Sequence, residues 1–271
     1  MDSRLTLIRD GIADARLEGV VAADAYRQAA PHRCAAGRTS VRKAAAVDAT
    51  MISELLFGEA FDVLVEQDGF AFGQGRRDGY VGFVAVDALA PATQAPTHRV
   101  SALSTLAFAR PDIKTPDPVI LPQNSLARVV GHEGRFAEVP GAGFVIEAHL
   151  ALIGVYDRDM AGVALSHLGA PYLWVGRTVA GLDCSGLVQA AMTACGRFAP
   201  RDSDQQADAY PAVDQADLRR GDLVFWPGHV AILVDASHIV HANGFHMQTA
   251  VEPLAEALER IEQPASFRRS I

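Results

Sequence analysis

Residues 183–196 read DCSGLVQAAMTACG, and this stretch decides how the C-terminal part of the chain is built. Leu187, Val188, Ala191 and Met192 recur at helical spacing, Asp183 has the chemistry of an N-cap, and Gly196 supplies a stop. The spacing predicts a helix that opens at Cys184. A sulfur in the first turn faces unpaired backbone N–H groups and the positive end of the helix dipole, so a thiolate is expected to be favoured there. The thiolate is the form that attacks carbonyl carbon, which makes Cys184 the candidate nucleophile. Ser185 and Gly186 are small enough to admit a substrate carbonyl beside it. The competing reading of a lone cysteine is a packed structural one, and Cys34 and Cys195, which lack this setting, are read that way. Cys184 and Cys195 would lie about 16 Å apart on one helix, beyond disulfide reach.

Downstream, residues 229–243 read HVAILVDASHIVHAN and alternate as two strands joined by a short turn. With the turn centred on Asp235, paired positions sum to 470, and His229 falls opposite His241 on one face. The two rings are then within hydrogen-bond reach, His229 as base and His241 as its orienter. His238 falls on the opposite face, and it and His246 are read as solvent or loop histidines. Upstream, DRDMAGVALSHLGAPY (residues 157–172) predicts a further helix. The result is an α+β domain over residues 156–271, with the order helix-Cys, strand-His, strand-polar of papain-like folds.

The rest of the chain has another character. Residues 1–33 read as a polar helical lead-in. Residues 34–91 hold TSVRKA, ELLFGEAFDVLVEQDGFAFGQ and DGYVGFVAVDAL, short alternating runs punctuated by Gly and Asp that predict a small β-barrel. After the linker PATQAP, residues 97–153 repeat the plan: VLVEQDGFAFG parallels ARVVGHEGRFAEV, and YVGFVAVDAL parallels AGFVIEAHLA. An internal duplication of one barrel is expected.

At 271 residues, 49% hydrophobic and 21% charged, the composition is that of a globular protein with real cores. The net charge of −8, with lysine only at positions 43 and 114, argues against a nucleic-acid partner. No uncharged apolar run approaches the ~18 residues of a membrane span, so no membrane partner is expected. The opening MDSRLTLIRDGIADARLEG interrupts any signal-peptide core with charges, which leads to an expected cytoplasmic location. The cysteines show no paired zinc spacing, and no metal or cofactor is expected.

DCSGLVQ, GDLVFWPGHVAILVD and HIVHAN together resemble the three motifs of NlpC/p60-type cysteine peptidases, and VRKA and GYVGFV resemble pieces of bacterial SH3-like domains. The resemblance implies two SH3-like β-barrels followed by a papain-like catalytic domain, a multidomain γ-D-glutamyl-L-diamino acid endopeptidase. Its implied substrate is a murein stem peptide, cut between D-glutamate and a diamino acid. In the subgroup acting on peptides with free N-terminal L-Ala, it implies an amine pocket of Asp183, Tyr172 (in APYLWVGR) and Ser203 (in PRDSDQQ). Glu59 and Tyr80 of the first SH3-like domain are implied contributors to a narrowed cleft. The sequence departs from the family at Val175, where Gly is common. Three rivals stay open on sequence alone: a wall-binding protein with a degenerate third domain, a thiol acyltransferase or amidase, and a metal site of Cys184, His229 and His241. Oligomeric state is not legible.

Overall fold

A computed structural model describes residues 1–270 and divides the chain into two compact units, Met1–Ile153 and Gly154–Ile271. Among the described residues no helix is long and apolar enough to cross a membrane.

The first unit is built from strands, including the segment expected to be helical. Ile8–Arg9 pairs antiparallel with Ile12–Asp14, which pairs parallel with Ala25–Arg27, and Ala30–Cys34 joins the main sheet. The cause is the Asp10-Gly11 dipeptide. Both residues have positive φ (48° and 75°), the backbone of a two-residue hairpin turn. Leu7 from this segment packs with Leu64, Phe70, Phe72, Val81 and Phe83, while Cys34, Val41, Leu55, Phe61 and Val63 fill the other face. The strands do not close into a barrel. They form an open seven-stranded sheet in the spatial order Leu89–Pro91, Ala30–Cys34, Ala60–Gln67, Phe70–Gly75, Val81–Ala85, Arg38–Arg42, Met51–Leu56. The N-terminal segment covers apolar surface that closure would otherwise have to bury.

Residues 97–153 form a three-stranded and a five-stranded sheet around Val100, Ala107, Leu121, Val139 and Val145, and these too are open. The order of elements repeats that of the preceding region. A hairpin is followed by a strand (Val81–Ala85 or Gly143–Ile146), one 3-10 turn (Val86–Ala88 or Glu147–His149) and a closing strand (Leu89–Pro91 or Leu150–Leu152). Phe57 of the first region is buried in the second region's core, so the two fold as one body.

The second unit is α+β. A five-stranded antiparallel sheet runs Gln248–Pro253, His238–Asn243, His229–Leu233, Leu223–Trp226, Ser266–Arg268. Helices α1 (Met160–Leu165) and α2 (Cys184–Ala194) share a core with Leu223, Phe225, Val230, Ile232, Val240 and Ala242. Helices α3 and α4 are Ser203–Ala209 and Leu254–Arg260. Leu254 and Ala257 of α4 pack with Val224, Trp226, Ala231, Leu233 and Ile239 on the other face. This period-two division sets which side chains reach the site.

Candidate active site

Helix α2 starts where the sequence places it. Asp183 caps it, accepting the Gly186 N–H at 2.6 Å, and Leu187, Val188, Ala191 and Met192 are buried. Gly186 is required for a reason other than substrate access: a Cβ there would lie 2.1 Å from the Gly176 carbonyl oxygen. The neighbouring Val175 holds φ 59°, the left-handed region that suits glycine, and donates its N–H to Asp183 Oδ2 at 3.0 Å. Valine in this backbone conformation carries strain of about 1–3 kcal/mol.

Cys184 is buried, and its sulfur receives the backbone N–H of Val230, the residue after His229. Burial pushes the Cys184 thiol up to about 12, and the Asp183 carboxylate adds to it. The N–H groups of Val230 and Ser185 and the Arg201 guanidinium pull the other way without prevailing. Removal from water thus opposes the thiolate that the helix position alone favours.

The two histidines are brought together, by a register different from the expected one. Ile232 pairs with Val240 and Leu233 with Ile239, so paired positions sum to 472 and the turn centres on Ala236. His229 and His241 are diagonal neighbours rather than opposite ones. Parity is unchanged by a shift of two, so both remain on one face, and His229 Nε2 lies 2.8 Å from His241 Nδ1. Burial, with the Arg260 guanidinium adding to it, pushes His229 down to about 4, while Asp183 opposes the shift. His241, fully buried, is pushed down to about 2 by burial, then by His229, Arg260 and His246. Both rings are neutral at pH 7.

His238 lies outside this pair, bonding Asp235 at 3.1 Å, and His246 bonds Asn243 Oδ1 at 3.0 Å. Sequence reading missed Glu252, whose Oε1 is 2.6 Å from His241 Nε2, off the ring's N–H direction, and which also pairs with Arg260. His241 faces Ala250 in the register, so Glu252 is again a diagonal neighbour. His229, His241 and Glu252 form a slanted row across three strands. A glutamate at an alternating position of QTAVEP (residues 248–253) was the available signal.

Arg201 was missed as well. It is fully buried and grips Asp183 through Nη1 (3.2 Å) and Nη2 (2.8 Å), with Nη1 also donating to Ser185 Oγ at 2.9 Å. Val175, Gly186, Ser185 and Arg201 all donate to the Asp183 oxygens, so the helix cap is held rigidly in place beside Cys184. Tyr172 is half-buried at the core edge, and burial, then Cys184 and Asp183, push its hydroxyl up to about 12. Ser203 is the first residue of α3, within the capping box formed by Asp202 and Gln205. In the first unit, Glu59 accepts the Leu56 N–H at 3.0 Å and pairs with Arg77, and Tyr80 is buried. Among the described residues, metal-like spacing is found for His241, His246 and Glu252, whose ligand atoms lie within 4.8 Å of one another, rather than for Cys184, His229 and His241.

Comparison with known proteins follows these boundaries. Residues 169–259 match the NlpC/P60 family, and residues 41–89 match the bacterial dipeptidyl-peptidase SH3 domain. The gamma-D-glutamyl-L-lysine dipeptidyl-peptidase of Bacillus cereus is 31% identical over 119 residues, 41% of this chain and 35% of that protein. The peptidoglycan endopeptidase RipB of Mycobacterium tuberculosis is 33% identical over 138 residues, 45% of this chain and 56% of RipB. The matches thus span about a third to just over half the length of these relatives. A crystal structure of an NlpC/P60 family protein from Bacillus cereus superposes with a TM-score of 0.77 at 17% identity, covering 88% of this chain and 99% of that one, a likeness of fold.

Proposed function

Because the chain carries an NlpC/P60 domain behind a bacterial dipeptidyl-peptidase SH3 domain, we propose that it is a cysteine peptidase. Its substrate in this reading is the γ-D-glutamyl-diamino acid bond of free peptidoglycan stem peptides that begin with L-Ala. The observation that carries the chemistry is the meeting of Cys184 at the start of α2 with the strand that begins at His229, whose ring is held by His241. The substrate class is supported by the relatives named for γ-D-glutamyl-L-lysine and peptidoglycan peptides.

Burial opposes both the thiolate and the imidazolium, so the proton moves as the bond forms. His229 takes the proton of Cys184 while sulfur adds to the γ-carbonyl carbon, and the carbonyl oxygen becomes an oxyanion. The backbone N–H of Cys184, at the helix mouth, is its natural donor, worth about 3–4 kcal/mol in the transition state. The imidazolium returns its proton to the leaving amine as the C–N bond breaks. Water, deprotonated by His229, then cleaves the thioester and releases the L-Ala-D-Glu acid. Asp183, Tyr172 and Ser203 are the residues proposed to line the pocket for the L-Ala end. A papain-like layout, a second SH3-like domain at residues 97–153 and a role in cytoplasmic murein-peptide recycling belong to the same proposal.

The test compares free L-Ala-γ-D-Glu-diamino acid peptides with intact sacculi. Release of diamino acid from the free peptides alone is the expected result, and release from sacculi alone would overturn the recycling reading. Cys184→Ala should abolish turnover with the fold retained by circular dichroism. His241→Ala should lower kcat less than His229→Ala, since the base is lost only in the latter.

A further inference from the structure

The surroundings of His241 leave one arrangement of protons. Its Nδ1 lies 2.8 Å from His229 Nε2, and its Nε2 lies 2.6 Å from Glu252 Oε1. The carboxylate oxygen lies off the ring's N–H direction, but at 2.6 Å it would repel a lone pair on that nitrogen, so the single proton of neutral His241 belongs on Nε2. Nδ1 is then bare and must accept from His229 Nε2. That leaves the lone pair of neutral His229 on Nδ1.

We propose that Glu252 is a positioning residue which, through His241, fixes the tautomer in which His229 offers Nδ1 as the base for Cys184. The reading of Cys184 as nucleophile is taken from the proposed function. Without the carboxylate, the opposite chain of protons is equally satisfied: His241 Nδ1–H donates to His229 Nε2, and the His229 proton moves to Nδ1, where it blocks the base. Arg260 pairs with the same carboxylate oxygen and sits 4.4 Å from the Phe245 ring centroid. The acid is thereby charge-balanced, and its contribution is the choice of tautomer rather than negative charge at the site. The same pairing disfavours a cation among His241, His246 and Glu252, because the guanidinium already holds the oxygen such an ion would take.

Long-range 15N–1H spectra of the full chain at pH 7.5 read histidine tautomers directly. In the wild type, His241 and His229 should both be Nε2–H. An Nδ1–H proton on either ring would overturn the proposal without any variant. Glu252→Gln keeps the side-chain shape but can donate, and it should lose the fixed tautomer. It should lower kcat by on the order of 10- to 100-fold with KM unchanged, the usual range for removing an orienting partner. Alkylation of Cys184 by iodoacetamide should slow in Glu252→Gln, as it should in His229→Ala. A folded Glu252→Gln protein with wild-type tautomers, kcat and alkylation rate would refute the role. Spectra and alkylation need no peptide: tautomers as stated in a protein that cleaves no stem peptide would sink the functional reading and leave this one standing.

Discussion

In the first unit, buried carboxylates are met by arginines that reach water: Glu54 by Arg38, Asp62 by Arg76, Asp14 by Arg16. The second unit repeats the device away from the site, where Arg269 meets Asp222. Beside Cys184 the arrangement changes. Asp183 is met by Arg201, whose side chain is wholly sealed from solvent, and polar side chains run in a row from His229 through His241 and Glu252 to Arg260. A solvent-reaching pair ties down a turn and contributes little beyond that. A sealed pair costs desolvation whatever it contributes, and breaking it strands a buried charge.

This contrast breaks first at Arg201. Arg201→Met leaves the Asp183 charge buried without its partner, and unfolding in urea should show a loss of about 3–5 kcal/mol. Adding Asp183→Asn should recover part of it. A loss no larger than that of a surface pair would remove the distinction between the units.

A smaller effect is expected from acid. His229 and His241 have folded-state values of about 4 and about 2, below the ordinary 6.5. The unfolded chain therefore takes up protons first. Their contribution is whole above about pH 6.5 and is lost as pH falls through 4 towards 2. The urea midpoint should drop between pH 7 and 4.5, and the drop should be shallower in a folded His229→Gln variant. An equal drop in both would detach the row from acid sensitivity.

The smallest effect belongs to the first unit. Arg76 is more than half exposed although Asp62 is buried, and Arg16 lies 3.9 Å from the same carboxylate. Arg76→Ala should cost about 1 kcal/mol or less. A loss matching that of Arg201→Met would mean that solvent reach does not separate the two kinds of pair.

What was legible in the sequence follows from the range of the interactions involved. Helix α2, its cap and the shared face of His229 and His241 depend on residues close in the chain or on strand parity, and parity survives a two-residue error in register. The N-terminal strands were obscured by a weakly patterned segment whose Asp10-Gly11 turn was the better guide. The helix terminus that favours a Cys184 thiolate is visible in sequence, while the burial that opposes it is not. Arg201 is eighteen residues from Asp183, and Glu252 reaches His241 from the next strand, so neither partnership is written in local spacing. Open sheets replaced the expected barrels because strand alternation is the same in both.

The central claim is that one thiol, fed by one imidazole, carries the acyl group. Acid quenching during turnover of L-Ala-γ-D-Glu-diamino acid, followed by peptide mass spectrometry, tests it. The account predicts an L-Ala-D-Glu thioester on the peptide that contains Cys184, and none in His229→Ala. An acyl group on any other residue, or turnover that persists in Cys184→Ala, would contradict it.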